Sequence, residues 1–355
     1  MLVCDYIVNF FIDKGITDVF GYPGGMVTYL MDSLSKKQKE IKTHTNYHEQ
    51  AAAFAACAYA QVKCIPGVAY ATSGPGATNL ITGIANAYFD SIPAIFITGQ
   101  VNTYESKDSL KVRQRGFQET DIVAICSPIT KYSIKIIDAT KIAYELEKAY
   151  HYAMSGRKGP VLLDIPMNIQ RTEINEDSLV HFKEIQINKI DYLKIADLIL
   201  KKLNTCQKPM FLFGAGINRD FEIKKQVRNL LNKINLPVAT SMIGIDIVSS
   251  SYRYNMGFIG AYGHRTANFC AMKSDLIIAC GTRLDLRQVS ANRKDFAPEA
   301  SIIRIDIDNN ELKYHIRDND INIQCDVNEL IKELNKISLE ENKLHNDWRD
   351  YCNYL

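Results

Sequence analysis

No apolar run in this chain approaches the roughly 20 residues that cross a bilayer. No basic region precedes the apolar stretch at the N-terminus, and Asp5 interrupts that stretch. Neither a membrane span nor a secretory leader is expected, and the protein reads as soluble and cytoplasmic. Charge of one sign is missing too. The 42 basic and 40 acidic residues leave a formal net charge of +2, so nothing electrostatic points to nucleic acid or an anionic membrane as partner. The basic stretch at Lys36–Lys42 reads as a solvated helix end or loop. The nine cysteines form no C-x-x-C pair, and their odd number fits buried, reduced thiols better than a disulfide framework or a zinc site. There is no G-x-x-x-x-G-K-[ST] phosphate loop. His48-Glu49 lacks the second histidine of a zinc-protease helix, because Ala52 stands one turn on. Gly214-Ala215-Gly216 lacks the third glycine of a dinucleotide fingerprint, whose place Arg219 takes.

What is present is a globular composition, 46% hydrophobic and 23% charged, in a chain whose 355 residues suit two domains rather than one core. Leu2, Tyr6 and Phe10, with Val3, Ile7 and Phe11, recur at helical spacing, and Gly15 is placed to end that helix. Short apolar runs read as strands at 16–20, 67–72, 93–98 and 160–165. Helices are expected between them, including an alanine-rich one from Glu49 to Gln61 and another from Ala77 to Tyr88. After a polar, aperiodic stretch the alternation resumes. It gives a helix at 192–203, strands at 209–213, 237–241, 275–280 and 302–307, and helices near 221–233 and 327–336. Strand–helix alternation predicts α/β architecture: two doubly wound parallel-sheet domains, the second Rossmann-like. The expected boundaries are 1–166 for the first domain, 167–188 for a linker, 189–336 for the second domain and 337–355 for a tail.

Chemistry concentrates in the first domain. Ligands of open α/β sheets bind beyond the carboxyl ends of the strands. Glycine turns at 21–25, 72–76 and 99–100 all fall at that edge. Glu49 opens the alanine-rich helix. Acids favour helix N-termini because they complement the dipole, so the residue taken alone is unremarkable. Taken with the turns around it, it becomes a candidate functional carboxylate. Its neighbours Ala52, Ala53 and Phe54 are expected to keep water from it.

Order and spacing then carry a resemblance. Gly21-Tyr22-Pro23-Gly24-Gly25, His48-Glu49-Gln50-Ala51-Ala52, the run Ala71 to Asn79 (ATSGPGATN), Asp90-Ser91-Ile92-Pro93, Thr98-Gly99-Gln100, Phe117-Gln118-Glu119 and Gly159-Pro160-Val161 occur in this order. Across essentially the whole first domain the chain resembles the pyrimidine-binding domain of the acetolactate synthase family, which uses thiamine diphosphate. The resemblance implies that Glu49 hydrogen-bonds the aminopyrimidine ring and switches the cofactor on. It also implies that Pro23, Gly24 and Gly25 approach the active centre, and that Thr72, Ser73, Gly76 and Asn79 line the pyrimidine pocket. Phe117 and Gln118 would stand beside a 2-oxo acid substrate. For Ser73, Gly76 and Asn79, a capped strand-to-helix turn explains the residues equally well. Two stretches depart from the family: 107–115 is longer and more basic, and Met167-Asn168 replaces a lysine and an acid.

The second domain resembles the family's central domain, which holds FAD in acetolactate synthases. Gly214, Gly216, Gly281, Arg283 and Asp306 are the matching candidates there, with Arg157 from the Ser155-Gly156-Arg157 stretch. Ala261-Tyr262-Gly263-His264 replaces a usual flavin contact, and FAD stays open. The family's Mg²⁺ and diphosphate are held by a third domain through a Gly-Asp-Gly segment that this sequence lacks. A diphosphate-binding domain supplied in cis or in trans is therefore expected, and so is another copy of the chain, as a homodimer or tetramer. The sequence alone keeps alternatives: the same chemistry with another acceptor such as a nucleotide-linked keto sugar, a 2-oxo acid decarboxylase, or a non-catalytic assembly subunit.

Overall fold

A computed structural model describes residues 1–184, 190–317, 319–337 and 345–355. The chain forms two compact units, Met1–Gln186 and Ile187–Leu355. Each is built on one sheet of six parallel strands flanked by helices.

In the first unit the strands are β1 (Asp18–Gly21), β2 (Lys42–Thr45), β3 (Gly67–Ala71), β4 (Ala94–Gln100), β5 (Tyr132–Lys135) and β6 (Pro160–Pro166), in the order β2-β1-β3-β4-β6-β5. Every residue of β3, β4 and β6 is buried, as expected of strands covered on both faces. The order reverses between β1 and β3, which puts a crevice beyond their carboxyl ends.

Five helices of this unit matter for the site: α1 (Val3–Asp13), α2 (Thr28–Lys36), α3 (Glu49–Lys63), α4 (Pro75–Asn79) and α5 (Ile81–Phe89). Gly15, at φ +75°, follows α1 as expected. The expected helix from Ala77 to Tyr88 is two, divided at Leu80. The alanines of α3 have a steric cause. A Cβ on Gly67 of β3 would lie 1.9 Å from the Ala56 carbonyl oxygen, and one on Gly83 of α5 would lie 2.2 Å from the Ala53 Cβ. Only small residues let α3 lie this close to both neighbours.

Strands β7 (Pro209–Phe213), β8 (Val238–Thr240), β9 (Asn255–Phe258), β10 (Leu276–Cys280), β11 (Ser301–Asp306) and β12 (Ile321–Gln324) form the second sheet, in the order β12-β11-β10-β7-β8-β9. Its central strands β7 and β10 are wholly buried. Eight of the twelve strands coincide with the runs read from sequence. The other four, β2, β5, β9 and β12, are the four sheet edges.

Two expectations about connecting chain need correction. Part of the polar stretch after residue 166 is folded into the first unit. Met167–Gln170 is helical, Gln170 is buried, and the Val3 and Ile174 amides donate to the Thr172 and Met1 carbonyls. Residues 185–189 lie outside the described residues. The expected tail is no tail either, though 338–344 are not described. The Asn346–Tyr354 helix is built into the second unit, where Trp348 is buried and its Nε1 donates to the Pro209 carbonyl at 2.9 Å.

All nine cysteines are free, and burial pushes the Cys57 and Cys126 thiols up to about 11, which makes them inert at neutral pH. Among the described residues no helix is long and apolar enough to cross a membrane.

Replacing Trp348 by alanine is expected to cost the second unit about 3–5 kcal/mol. Urea unfolding of the variant checks this, and an unchanged midpoint would show that the helix contributes nothing to that core.

Candidate active site

His48 caps α3 with extended backbone, its Nδ1 accepting the Gln50 amide at 3.1 Å. That cap places Glu49 on the first turn, at the rim of the sheet. The carboxyl group is largely shielded, with 8% of the residue exposed. Asn79 Nδ2 donates to its Oε2 at 2.9 Å. The other oxygen faces the turn that follows β3, where a Cβ on Gly76 would stand 3.1 Å from Oε1 and 2.8 Å from Thr72 Cγ2. Glycine at 76 thus leaves that oxygen approachable. Ala52 and Ala53 are buried as expected, but Phe54 lies on the outer side of α3, exposed, and does not shield the carboxyl.

The loops after β1 and β3 meet above the crevice. Met26 donates its amide to Thr72 Oγ1 at 3.1 Å, and a Cβ on Gly24 would fall 2.4 Å from the Thr72 Cβ. Gly24 is required by that contact. Gly25 has open space where a side chain would be, and Pro23 beside it is exposed. Ser73 is buried, and its Oγ has no hydrogen-bond partner. An approachable carboxylate oxygen, an orphaned buried hydroxyl and a glycine-bounded opening sit together at the switch point. That set fits a flat heterocycle with ring nitrogens and an exocyclic donor.

Gln118 joins the group from the far loop. Its backbone is left-handed, φ +58°, and a Cβ on Gly74 would lie 2.7 Å from its own Cβ. Phe117 points outward, 76% exposed. The basic stretch 107–115 is largely surface, with Lys111 and Arg113 exposed. Asn168 pins the start of that loop, its Oδ1 accepting the Thr103 amide and its Nδ2 donating to Thr103 Oγ1, both at 2.9 Å.

Sequence reading passed over a buried carboxyl beneath this rim. Asp164, 1% exposed near the end of β6, accepts Thr98 Oγ1 at 2.7 Å and Gln100 Nε2 at 3.0 Å. Burial pushes its pKa up to about 7, against the opposing pull of those donors and of Lys135. The signal was an acid inside an otherwise apolar strand.

In the second unit the glycine candidates do meet. Gly214 and Gly216, after β7, cross the end of β10. A Cβ on Gly214 would lie 2.2 Å from the Gly281 carbonyl oxygen, and the Gly216 amide donates to that oxygen at 3.0 Å. Packing alone therefore demands these glycines. Arg283 is exposed and lies 3.7 Å from Asp285, while Asp306 Oδ1 accepts the Asp308 amide at 2.9 Å. Arg157 belongs to the first unit, where its Nε donates to Ser91 Oγ at 2.9 Å. Among the described residues no group of three or more His, Cys, Asp or Glu side chains could hold a metal ion.

Comparison with known proteins decides the family. Residues 1–125 match the N-terminal TPP binding domain of the thiamine pyrophosphate enzymes, and residues 196–334 match their central domain. The chain belongs to the thiamine pyrophosphate enzymes. It is 34% identical over 361 aligned residues to the acetolactate synthase isozyme 2 large subunit of Escherichia coli, covering 99% of this chain and 61% of that protein. It is 35% identical to the acetolactate synthase large subunit of Lactococcus lactis, covering 96% of this chain and 57% of the relative. With acetolactate synthase 2, chloroplastic, of Nicotiana tabacum, identity is 33%, over 97% of this chain and 51% of that protein. The chain thus spans between half and about three-fifths of the length of these relatives.

The sign of the Asp164 effect follows from its raised pKa. Between about pH 4 and pH 7 the folded chain holds a proton that the unfolded chain releases, so stability falls as pH rises through that window. Asp164→Asn is expected to flatten this dependence in urea titrations run across that range. An equally steep fall in the variant would assign the slope to other groups.

Proposed function

We propose that this chain provides the pyrimidine-binding and central portions of a carboligase that decarboxylates pyruvate and passes the hydroxyethyl unit to a second 2-oxo acid. The observation that carries this reading is the Glu49 carboxyl, one oxygen held by Asn79 and the other facing the opening that Gly76 leaves at the switch point. The likeness to acetolactate synthases supports it.

Bound thiamine diphosphate supplies the carbon nucleophile and the electron sink. The chain's part is to aim and shield. Glu49 Oε1 would hold a proton toward a pyrimidine ring nitrogen, and Asn79, donating to Oε2, keeps the carboxyl from rotating away. Gly24 and Gly25 would let backbone approach the ring, and Thr72, Ser73 and Gly76 would help to line its pocket. Burial of the carboxyl strengthens that one hydrogen bond by excluding competing water. Phe117 and Gln118 stand on the substrate side. The diphosphate and its Mg²⁺ are assigned to residues beyond these 355, in the same polypeptide or another, with a second copy of the chain completing the assembly.

For the second unit we propose FAD as a structural ligand, with Gly214, Gly216, Gly281, Arg283 and Asp306 at the nucleotide. A second reading, a central domain without flavin, is favoured by one observation: the crossing of Gly214 and Gly216 over Gly281 is complete by itself.

Glu49→Gln is expected to leave the circular dichroism spectrum unchanged and to lower pyruvate consumption by the complete enzyme by about 10²–10⁴-fold. Near-normal turnover would remove the central assignment. Purified enzyme is further expected to show the visible absorption of a flavin. A colourless protein that still binds thiamine diphosphate would establish the flavin-free reading.

A further inference from the structure

Gln118 stands third in a four-residue turn closed by the Glu119 amide donating to the Gly116 carbonyl at 3.1 Å. A left-handed third position is the place for glycine or asparagine. Glutamine there is strained, because its Cβ crowds the following carbonyl, so something must hold it.

Glu119 supplies the hold. Its Oε1 accepts Ser106 Oγ at 3.0 Å and the Lys107 amide at 2.8 Å. Its Oε2 accepts the Arg115 amide at 3.1 Å and the Gly116 amide at 3.3 Å. One side chain therefore ties the first residues of the 106–119 loop to its last, and adds a second link across the turn through the Gly116 amide. Arg115 reinforces the closure by donating to the Ser106 carbonyl at 3.1 Å, and Gln100 Nε2 fixes the exit by donating to the Thr120 carbonyl at 2.8 Å. Burial alone would raise the Glu119 pKa, but the four donors outweigh it and the net shift is downward. Glycine at 74, itself left-handed at φ +62°, leaves the room into which the Gln118 side chain starts, two residues from the glycine that opens onto Glu49.

We infer that Glu119 is a positioning residue, whose four-donor clamp holds Gln118 in its left-handed conformation against Gly74 and so sets where the substrate-side amide lies. The inference rests on the carboligase reading for what Gln118 touches, but not for the clamp. Glu119 itself touches no reacting group in this scheme, and its effect travels through the backbone of its neighbour.

Two arms test it on the complete enzyme. Amide hydrogen exchange at Lys107, Arg115 and Gly116 is expected to accelerate in Glu119→Ala, and to lie between that variant and the parent in Glu119→Gln, which keeps one acceptor oxygen. Glu119→Gln also serves if the alanine variant does not fold. Unchanged exchange in both overturns the clamp, whatever the enzyme's reaction. For kinetics, Glu119→Ala is expected to lower kcat/KM for pyruvate by up to about 100-fold, with thiamine diphosphate affinity unaltered. In a Gln118→Ala background the same change is expected to add nothing, because it acts through Gln118. Losses that add across the two sites would make Glu119 merely structural. Failure of the carboligase reading shows elsewhere, as turnover surviving Glu49→Gln, and leaves the exchange result standing.

Discussion

The closeness of α3 to its neighbours is the constraint from which the site follows. With Gly67 beneath it and Gly83 beside it, the helix lies closer to both neighbours than any larger residue at those two positions would allow. Its first residue is therefore held at the rim, where the loops after β1 and β3 converge. A bulkier helix would stand farther from the sheet and carry the Glu49 carboxyl away from the Gly76 opening. Interiors pack like crystals, so a methyl-sized change at such a crossing propagates along the whole element. The alanines thus help to set where the Glu49 carboxyl lies.

Two sets of glycines at the sheet edges, one taken from each unit, play different parts. In the first, Gly25 has nothing where its side chain would be, and Gly76 clears the way to a carboxylate oxygen. These glycines hold space open. In the second, Gly214, Gly216 and Gly281 let two backbones touch. These close space. The same residue type at the same edge of a parallel sheet can therefore mark either a ligand or a junction, and only the surroundings distinguish them.

That difference explains what could be read in advance. Buried strands announce themselves as apolar runs, and every central strand of both sheets was visible in this way. The edges were not, because β2 reads Lys-Thr-His-Thr and β12 reads Ile-Asn-Ile-Gln, half-exposed segments whose pairing depends on a neighbour rather than on their own composition. The rim around Glu49 was legible because its residues sit in short contiguous motifs. Asp164 was hidden inside a strand that otherwise looks wholly apolar, and the role of Glu119 depends on donors contributed by four different residues, which no local pattern displays. Trp348 was missed for a similar reason: the partner of its indole nitrogen lies 139 residues earlier in the chain.

Gln170 reaches back across 144 residues to hold the Met26 carbonyl, at 2.7 Å, and with the same nitrogen grips the Ile165 carbonyl at 2.8 Å. Met26 is the residue whose amide engages Thr72. The mouth of the crevice is accordingly fastened by one of the last parts of this unit to leave the ribosome. During synthesis the early strands can pair and the alanine helix can dock, but this rim stays unfastened until the far end of the unit has emerged. The rim of the crevice can therefore take its final shape only once the unit is complete.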